Sequence, residues 1–185
     1  MPVPLERFYA QIAKWPRVMS QNRVLLPPEL RTEDSKLVFY VENQSVYFWA
    51  TSESGNDAPV WIRENRHVGR WELEAEPLSV FLLQLVLFEA AMGAPDVATA
   101  MDLPGPEMAS IIRRMTKAPF GPWRTPQFPT EFYLAPGAVA FVSPAGSGRK
   151  GYYLFVGAKD PSALVFLEPF VDDSWEHYSP RDGPL

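Results

Sequence analysis

Cysteine and histidine, which often take part in catalysis, are absent or rare in this chain, and the two histidines are far apart in sequence. Its 185 residues include no cysteine and two histidines, His67 and His177. A metal site would need further ligands near a histidine, and the sequence has no HExxH or HxH spacing. A serine nucleophile is not indicated either, because no GxSxG elbow occurs. These residues predict no metal site, no cofactor and no thiol chemistry.

The Gly-rich segment 146–151 (GSGRKG) has a superficial likeness to a phosphate-binding loop. It lacks the Lys-Ser/Thr ending, and it precedes a predicted strand, whereas a phosphate-binding loop opens a helix. We therefore interpret it as a hairpin turn. Acid–base catalysis by two carboxylates that converge in space stays open, because nothing in the sequence selects or excludes a pair.

The net charge of −5 is concentrated near the end of the chain. Residues 151–185 carry 2 Lys/Arg against 6 Asp/Glu, which gives −4 for this segment. Such a surface repels phosphates and attracts cations, so we expect a basic protein as partner and no nucleic acid. The alternative is that the acidic end is merely solvated. The sequence leaves the oligomeric state undecided.

The longest apolar run, Leu78 to Met92, is interrupted by Ser79, Gln84 and Glu89. It is shorter than the roughly 20 residues that a membrane span requires. The first residues, MPVPLERFYAQIAKW, lack the basic and apolar regions of a secretory signal. We therefore expect a soluble cytoplasmic protein that does not enter a membrane, and the absence of cysteine agrees with a reducing compartment.

The elements that position the polar residues are helices and short strands in alternation. Helical spacing of apolar residues predicts helices at about 5–14, 77–92 and 107–116. Runs of β-branched and aromatic residues predict strands at 36–41, 46–51, 60–63, 70–75, 131–135, 138–143 and 152–157. A Pro-rich loop covers about 118–130, and Asp160-Pro161 begins a last short helix. This layout is typical of the α+β class, in a single domain over residues 1–185.

Two tryptophans, Trp49 and Trp61, stand on either side of a short acidic loop. Trp49 ends one predicted strand and Pro59 begins the next, while Gly55-Asn-Asp57 tolerates the backbone angles of a turn. Asp57 can accept backbone N–H groups within that turn. A structural turn therefore explains the residues of this loop without any catalytic role. The tryptophans either pack over a helix or belong to a binding face.

The same region carries an ordered set of residues over about 50 positions: Glu42, Asn43, Gln44, Trp49, Asp57, Ala58, Pro59, Val60, Trp71, Leu78, Ser79, Phe81 and Leu82. Their order and spacing follow the pattern E-N-Q…W-G…D-P-P-V…W…L-S-x-F-L. In this the chain resembles the SMI1/KNR4 family of the SUKH superfamily. Ala50 and Ala58 stand where the family pattern has glycine and proline.

The resemblance implies an α+β fold with a strongly bent, mostly antiparallel multistranded sheet and helices packed around it. It also implies a bacterial, non-catalytic immunity protein that binds and neutralises a toxin domain, often a nuclease. Two alternatives stay open: an enzyme with dispersed carboxylates, and a regulatory adaptor of the same fold. A structural role is expected for Glu42, Asn43, Gln44, Pro59, Trp71, Leu78, Phe81 and Leu82. The candidates for partner binding are Trp49, Asp57, Trp61, Asp172, Asp173, Trp175 and Glu176.

Overall fold

The computed structural model describes residues 1–14, 19–65, 69–125, 129–146 and 148–184. The chain divides into two compact units, Met1–Glu89 and Ala90–Leu185, and each unit has its own sheet. The α+β class and the mostly antiparallel pairing are confirmed. The single domain over residues 1–185 stays a prediction. His67 and its two neighbours, residues 66 and 68, lie outside the described residues.

The first unit contains one sheet, a first α-helix, a short 3-10 helix and most of a second α-helix. Its elements are α1 (Val3–Ile12), β1 (Arg23–Val24), a 3-10 helix (Pro27–Glu29), β2 (Arg31–Glu33), β3 (Lys36–Val41), β4 (Tyr47–Thr51), β5 (Pro59–Glu64), β6 (Glu72–Pro77) and α2 (Leu78–Met92), which continues into the second unit. The strand order is β1-β3-β4-β5-β6, and β2 also pairs with β3. The segment before β3, for which the sequence analysis predicts no strand, thus supplies two short strands that pair with β3.

Apolar residues cover both faces of β3 and β4, and the structure buries both faces. On one face Tyr40 and Trp49 contact each other and Phe81 of α2, with Tyr40 and Trp49 ring centroids 4.9 Å apart. On the other face, Val38, Val41, Phe48 and Ala50 pack with Leu25. Side chains alternate along a strand, so a continuous apolar run needs cover on both sides. In β3 an irregularity in the register between Val38 and Tyr40 puts these two side chains on opposite faces.

Helix α2 supplies most of the cover on the first of these faces. The family-motif residues Leu78, Phe81 and Leu82 are buried on it, together with Leu85. Leu83, on another side of the helix, is 56% exposed. Among the described helices, none combines the length and the apolar character that a membrane crossing demands.

The second unit is built on a second antiparallel sheet. Its elements are β7 (Asp96–Leu103), α3 (Gly105–Ile112), β8 (Thr116–Lys117), β9 (Glu131–Ala135), β10 (Ala138–Pro144), β11 (Tyr152–Ala158), a 3-10 helix (Pro161–Phe170), β12 (Trp175–Tyr178) and α4 (Ser179–Asp182). The strand order is β12-β7-β11-β10-β9-β8. The sequence prediction missed β7 and β12, and it placed the end of α3 four residues too late.

The Pro-rich loop at 118–130 is an ordered connection in its described part. Trp123 is buried and pairs with Thr130 through two backbone hydrogen bonds of 2.8 Å. The rings of Phe120 and Trp123 each lie 6.0 Å from that of Phe132. This part of the loop therefore folds back onto the sheet. Residues 126–128 are outside the described range.

Candidate functional site

The family-motif turn between β3 and β4 is held by its own hydrogen bonds. Glu42 Oε2 accepts the backbone N–H groups of Gln44 and Val46, at 2.9 and 3.0 Å. The backbone N–H of Asn43 donates to Asn22 Oδ1 at 3.1 Å. The expected side-chain support therefore comes from Glu42, whereas Asn43 and Gln44 contribute backbone donors.

Behind this turn lies a buried polar network that the sequence did not suggest. The hydroxyl of Tyr40 donates to Glu89 Oε1 at 2.7 Å and accepts from Asn22 Nδ2 at 2.8 Å. Glu89 is 1% exposed and accepts the backbone N–H groups of Ser20, Gln21 and Asn22. Burial and the adjacent Glu89 carboxylate raise the pKa of Tyr40, which keeps it a donor. The network fixes residues 20–22 to α2 and β3.

Trp49 is a core residue. Its side chain is fully buried, and its indole Nε1 donates to Glu74 Oε1 at 3.0 Å. The expectation that Trp49 contacts a partner does not fit this position, because a buried indole with a carboxylate acceptor is already satisfied.

Asp57 is exposed, but its carboxylate is used within the fold. Oδ1 accepts the backbone N–H of Ser79 at 2.9 Å, and Oδ2 accepts the Ser79 hydroxyl at 2.8 Å. The backbone N–H of Leu78 donates to the carbonyl of Ala58 at 2.9 Å. The acidic loop thus caps the first turn of α2, rather than closing its own turn as the sequence suggests.

Trp61 and Trp71 lie on the face of the first sheet that carries Phe48. The Lys36 ammonium lies 4.8 Å from the Trp61 ring centroid, and the Arg63 guanidinium lies 4.4 Å from that of Trp71. Trp71 also donates from Nε1 to Asp34 at 3.1 Å and packs on the apolar cluster around Phe48. Trp61 is partly exposed, so it remains available to a partner.

The acidic segment near the end of the chain contains one buried residue, Trp175, between exposed carboxylates. Trp175 is 3% exposed, packs in the core of the second unit and donates from Nε1 to the carbonyl of Phe170. Trp175 is therefore a core residue and not an interface tryptophan. Its neighbour Glu176 is exposed at an irregularity in the register of β12. Burial, and then the charge of Glu176, raise the pKa of Tyr153 to about 12.

Asp172 lies near a second carboxylate, from Glu107 of α3, and Asp173 is its exposed neighbour in the chain. Burial, and then the nearby charge of Asp172, raise the pKa of Glu107. Asp172 Oδ1 accepts the backbone N–H and hydroxyl of Ser174 at 2.8 and 2.5 Å, so it also closes the turn before β12. Arg181 donates to the Asp172 carbonyl and is paired with Asp182. We call Glu107, Asp172 and Asp173 the acidic patch.

A serine, a histidine and an aspartate also come together at the start of α4. Ser179 Oγ lies 3.3 Å from His177 Nε2, and His177 Nδ1 lies 3.9 Å from Asp182 Oδ2. Ser179 is 4% exposed, and its Oγ accepts the backbone N–H of Val97 at 2.9 Å. Asp182 already accepts the Tyr178 backbone N–H. The arrangement joins β12 and α4 to β7 and does not present the serine oxygen to a substrate.

Metal-binding side chains form no group of three or more in the parts of the chain that are described. The prediction that the protein needs no metal stays a prediction. No match to this chain was found among family models, curated proteins or solved structures. The residues and their geometry are therefore the basis for a functional proposal.

Proposed function

We propose that this chain is a non-catalytic binding protein of the SMI1/KNR4 type: a bacterial, cytoplasmic immunity protein that binds a basic toxin domain and blocks it. A nuclease is the toxin class that an acidic surface suits best, because a nuclease active site is shaped to attract phosphate charge. The sequence resemblance in the first unit is the reason for proposing this family. The acidic residues of the second unit are the reason for proposing the binding surface.

The contacts of the first unit support a framework role for the motif. Glu42 closes a turn, Asp57 caps α2, and Leu78, Phe81 and Leu82 are buried. These contacts lie within the fold, which supports a structural role for the motif. This is the behaviour expected of a binding scaffold.

The observation that carries the proposal is the acidic patch. Burial, and then the charge of Asp172 in the turn before β12, raise the pKa of Glu107 on α3. Hydrogen bonds from Ser174 and the charge of Arg181 lower the pKa of Asp172, which therefore stays ionised. Like charges brought together from separate elements oppose folding, so a basic partner that neutralises them would gain binding energy. Asp173, exposed beside Asp172, extends the same surface.

The test uses the chain encoded beside this gene, with its C-terminal domain produced in a bacterial host. We expect that domain to arrest growth alone, and co-production of this chain to restore growth and to yield a stoichiometric complex. An enzyme that inactivated the toxin would restore growth at substoichiometric amounts and would leave no stable complex. No complex and no rescue would contradict the proposal.

A further inference from the structure

An exposed arginine just after α3 is held in position by two residues of the 3-10 helix Pro161–Phe170. The guanidinium carbon of Arg114 lies 4.9 Å from the ring centroid of Phe170, and Nη1 donates to the carbonyl of Phe166 at 3.0 Å. A guanidinium that stacks on a ring and uses one donor still has N–H groups to offer. Because Arg114 is exposed, a ligand can reach these groups.

Arg114 also differs from most arginines of the chain in its charge partners. Arg23, Arg31, Arg63 and Arg181 each form an ion pair with an aspartate or a glutamate. In the described part of the chain, no carboxylate is paired with Arg114, whose contacts are those with Phe166 and Phe170. An arginine that is already ordered loses little conformational freedom on binding, and its planar N–H groups match the two oxygens of a carboxylate.

Apolar residues accompany the arginine on the same 3-10 helix. Val165, next to Phe166 in the chain, is 50% exposed, and Phe166 and Phe170 are partly exposed. Arginine and aromatic residues are enriched at the centres of protein interfaces, where surrounding apolar contacts exclude water from the charged pair. We call Arg114, Val165, Phe166 and Phe170 the arginine platform. Its composition is that of a surface for a protein rather than for a free anion.

The neighbouring acidic patch indicates which kind of anion the platform accepts. Glu107, near the start of α3, lies close to Asp172, and Arg114 stacks on Phe170, two residues before Asp172. The helical distance from Glu107 to Arg114 is about 10 Å. Nucleic acid carries closely spaced phosphates, so a phosphate on Arg114 would bring others toward the acidic patch, which repels them. A protein can instead present a carboxylate to Arg114 and a cation to the patch.

We propose that an aspartate or glutamate of the toxin domain binds Arg114 while the basic surface of the same domain binds the acidic patch. This inference rests on the proposed function and adds the orientation of the partner to it. Opposite charges at the two ends of α3 fix that orientation, because a reversed partner would place like charges together.

Affinity for the toxin domain, measured with two variants of equal charge, tests the platform. Arg114→Gln removes the stacked guanidinium, whereas Arg113→Gln removes the adjacent one, which donates to Ser110. We expect Arg114→Gln to raise the dissociation constant by about tenfold or more, mainly through faster dissociation, and Arg113→Gln to raise it by less than about threefold. Arg114→Lys should resemble Arg114→Gln, because an ammonium cannot form the bidentate pair. Equal effects of Arg113→Gln and Arg114→Gln would overturn the proposal.

A double-mutant cycle separates a contact with the partner from a loss of packing within this chain. Each surface aspartate and glutamate of the toxin domain is changed to its amide and measured against wild type and Arg114→Gln. We expect one change to weaken binding to wild type about tenfold, and binding to Arg114→Gln by less than about twofold. If no carboxylate is coupled to Arg114, the platform is overturned while the complex, and with it the proposed function, stands. A toxin domain that forms no complex with wild type contradicts both.

Discussion

The carboxylate of Asp57 holds the first turn of α2 through Ser79, with one oxygen on the backbone N–H and the other on the hydroxyl. The first N–H groups of a helix have no partner inside it, and an anion at this end also interacts favourably with the helix dipole. A residue 22 positions earlier in the chain therefore acts as the cap.

Replacing Asp57 with alanine removes this cap. We expect Asp57→Ala to lower the free energy of unfolding by about 0.5–2 kcal/mol, and Asp57→Asn to lower it less because an acceptor oxygen remains. Urea unfolding measures both. Asn56→Ala in the same loop is the control, and an equal effect of the two alanine variants would show that Asp57 does not act as a cap.

The buried and exposed sides of α2 should respond differently to truncation. Leu82→Ala and Leu85→Ala each leave a cavity, and we expect a loss of about 2–5 kcal/mol in the free energy of unfolding. Leu83→Ala, measured at low protein concentration, should cost within about 0.5 kcal/mol. Comparable losses at all three positions would mean that Leu83 is buried within the single chain.

The elements that the sequence predicts well have strong local signals. Helix α2 has a long apolar run, and β9, β10 and β11 are rich in aromatic and β-branched residues between turns. Strand β7 was missed because Asp96–Leu103 contains small residues with little strand preference. Its pairing with β11 and β12 comes from distant parts of the chain, which a local pattern cannot show.

The candidate site was harder to predict because its contacts are long-range. Glu89 appears in the sequence as an interruption of an apolar run, and its partners at residues 20–22 lie at least 67 positions away. Glu107 likewise meets Asp172 through the fold. Conversely, Asp173 and Glu176 are close in sequence, yet the charge of Glu176 acts on Tyr153 of β11.

The network around Tyr40 gives a stability prediction that separates two asparagines. Asn22→Ala removes the acceptor of the Asn43 N–H and the donor to Tyr40, and we expect a loss of about 1–3 kcal/mol. Asn43→Ala keeps the backbone N–H and should change stability by less than about 0.5 kcal/mol. Chemical denaturation ranks the two variants, and the reverse order would contradict the network.

The raised pKa of Glu107 predicts a pH dependence with a definite sign. A carboxyl whose folded pKa lies above its unfolded value binds more protons in the folded state, so its contribution to stability falls as pH rises above 4.5. Glu107→Gln has no such group. We expect its melting temperature, relative to wild type, to increase between pH 4 and pH 7. A difference that is constant with pH would contradict the raised pKa that burial, and then Asp172, give to Glu107.

Binding through the acidic patch is tested with two variants of equal charge. Asp173→Lys changes the charge of the patch. Glu176→Lys makes the same change of charge near Tyr153. Asp172 is left intact because it closes a turn. We expect Asp173→Lys to slow association with the toxin domain and to weaken its salt dependence, because the patch steers a cationic partner. Glu176→Lys should stay near wild type. Stopped-flow measurements at low and moderate salt compare them, and identical kinetics for the two folded variants would remove the patch from the interface.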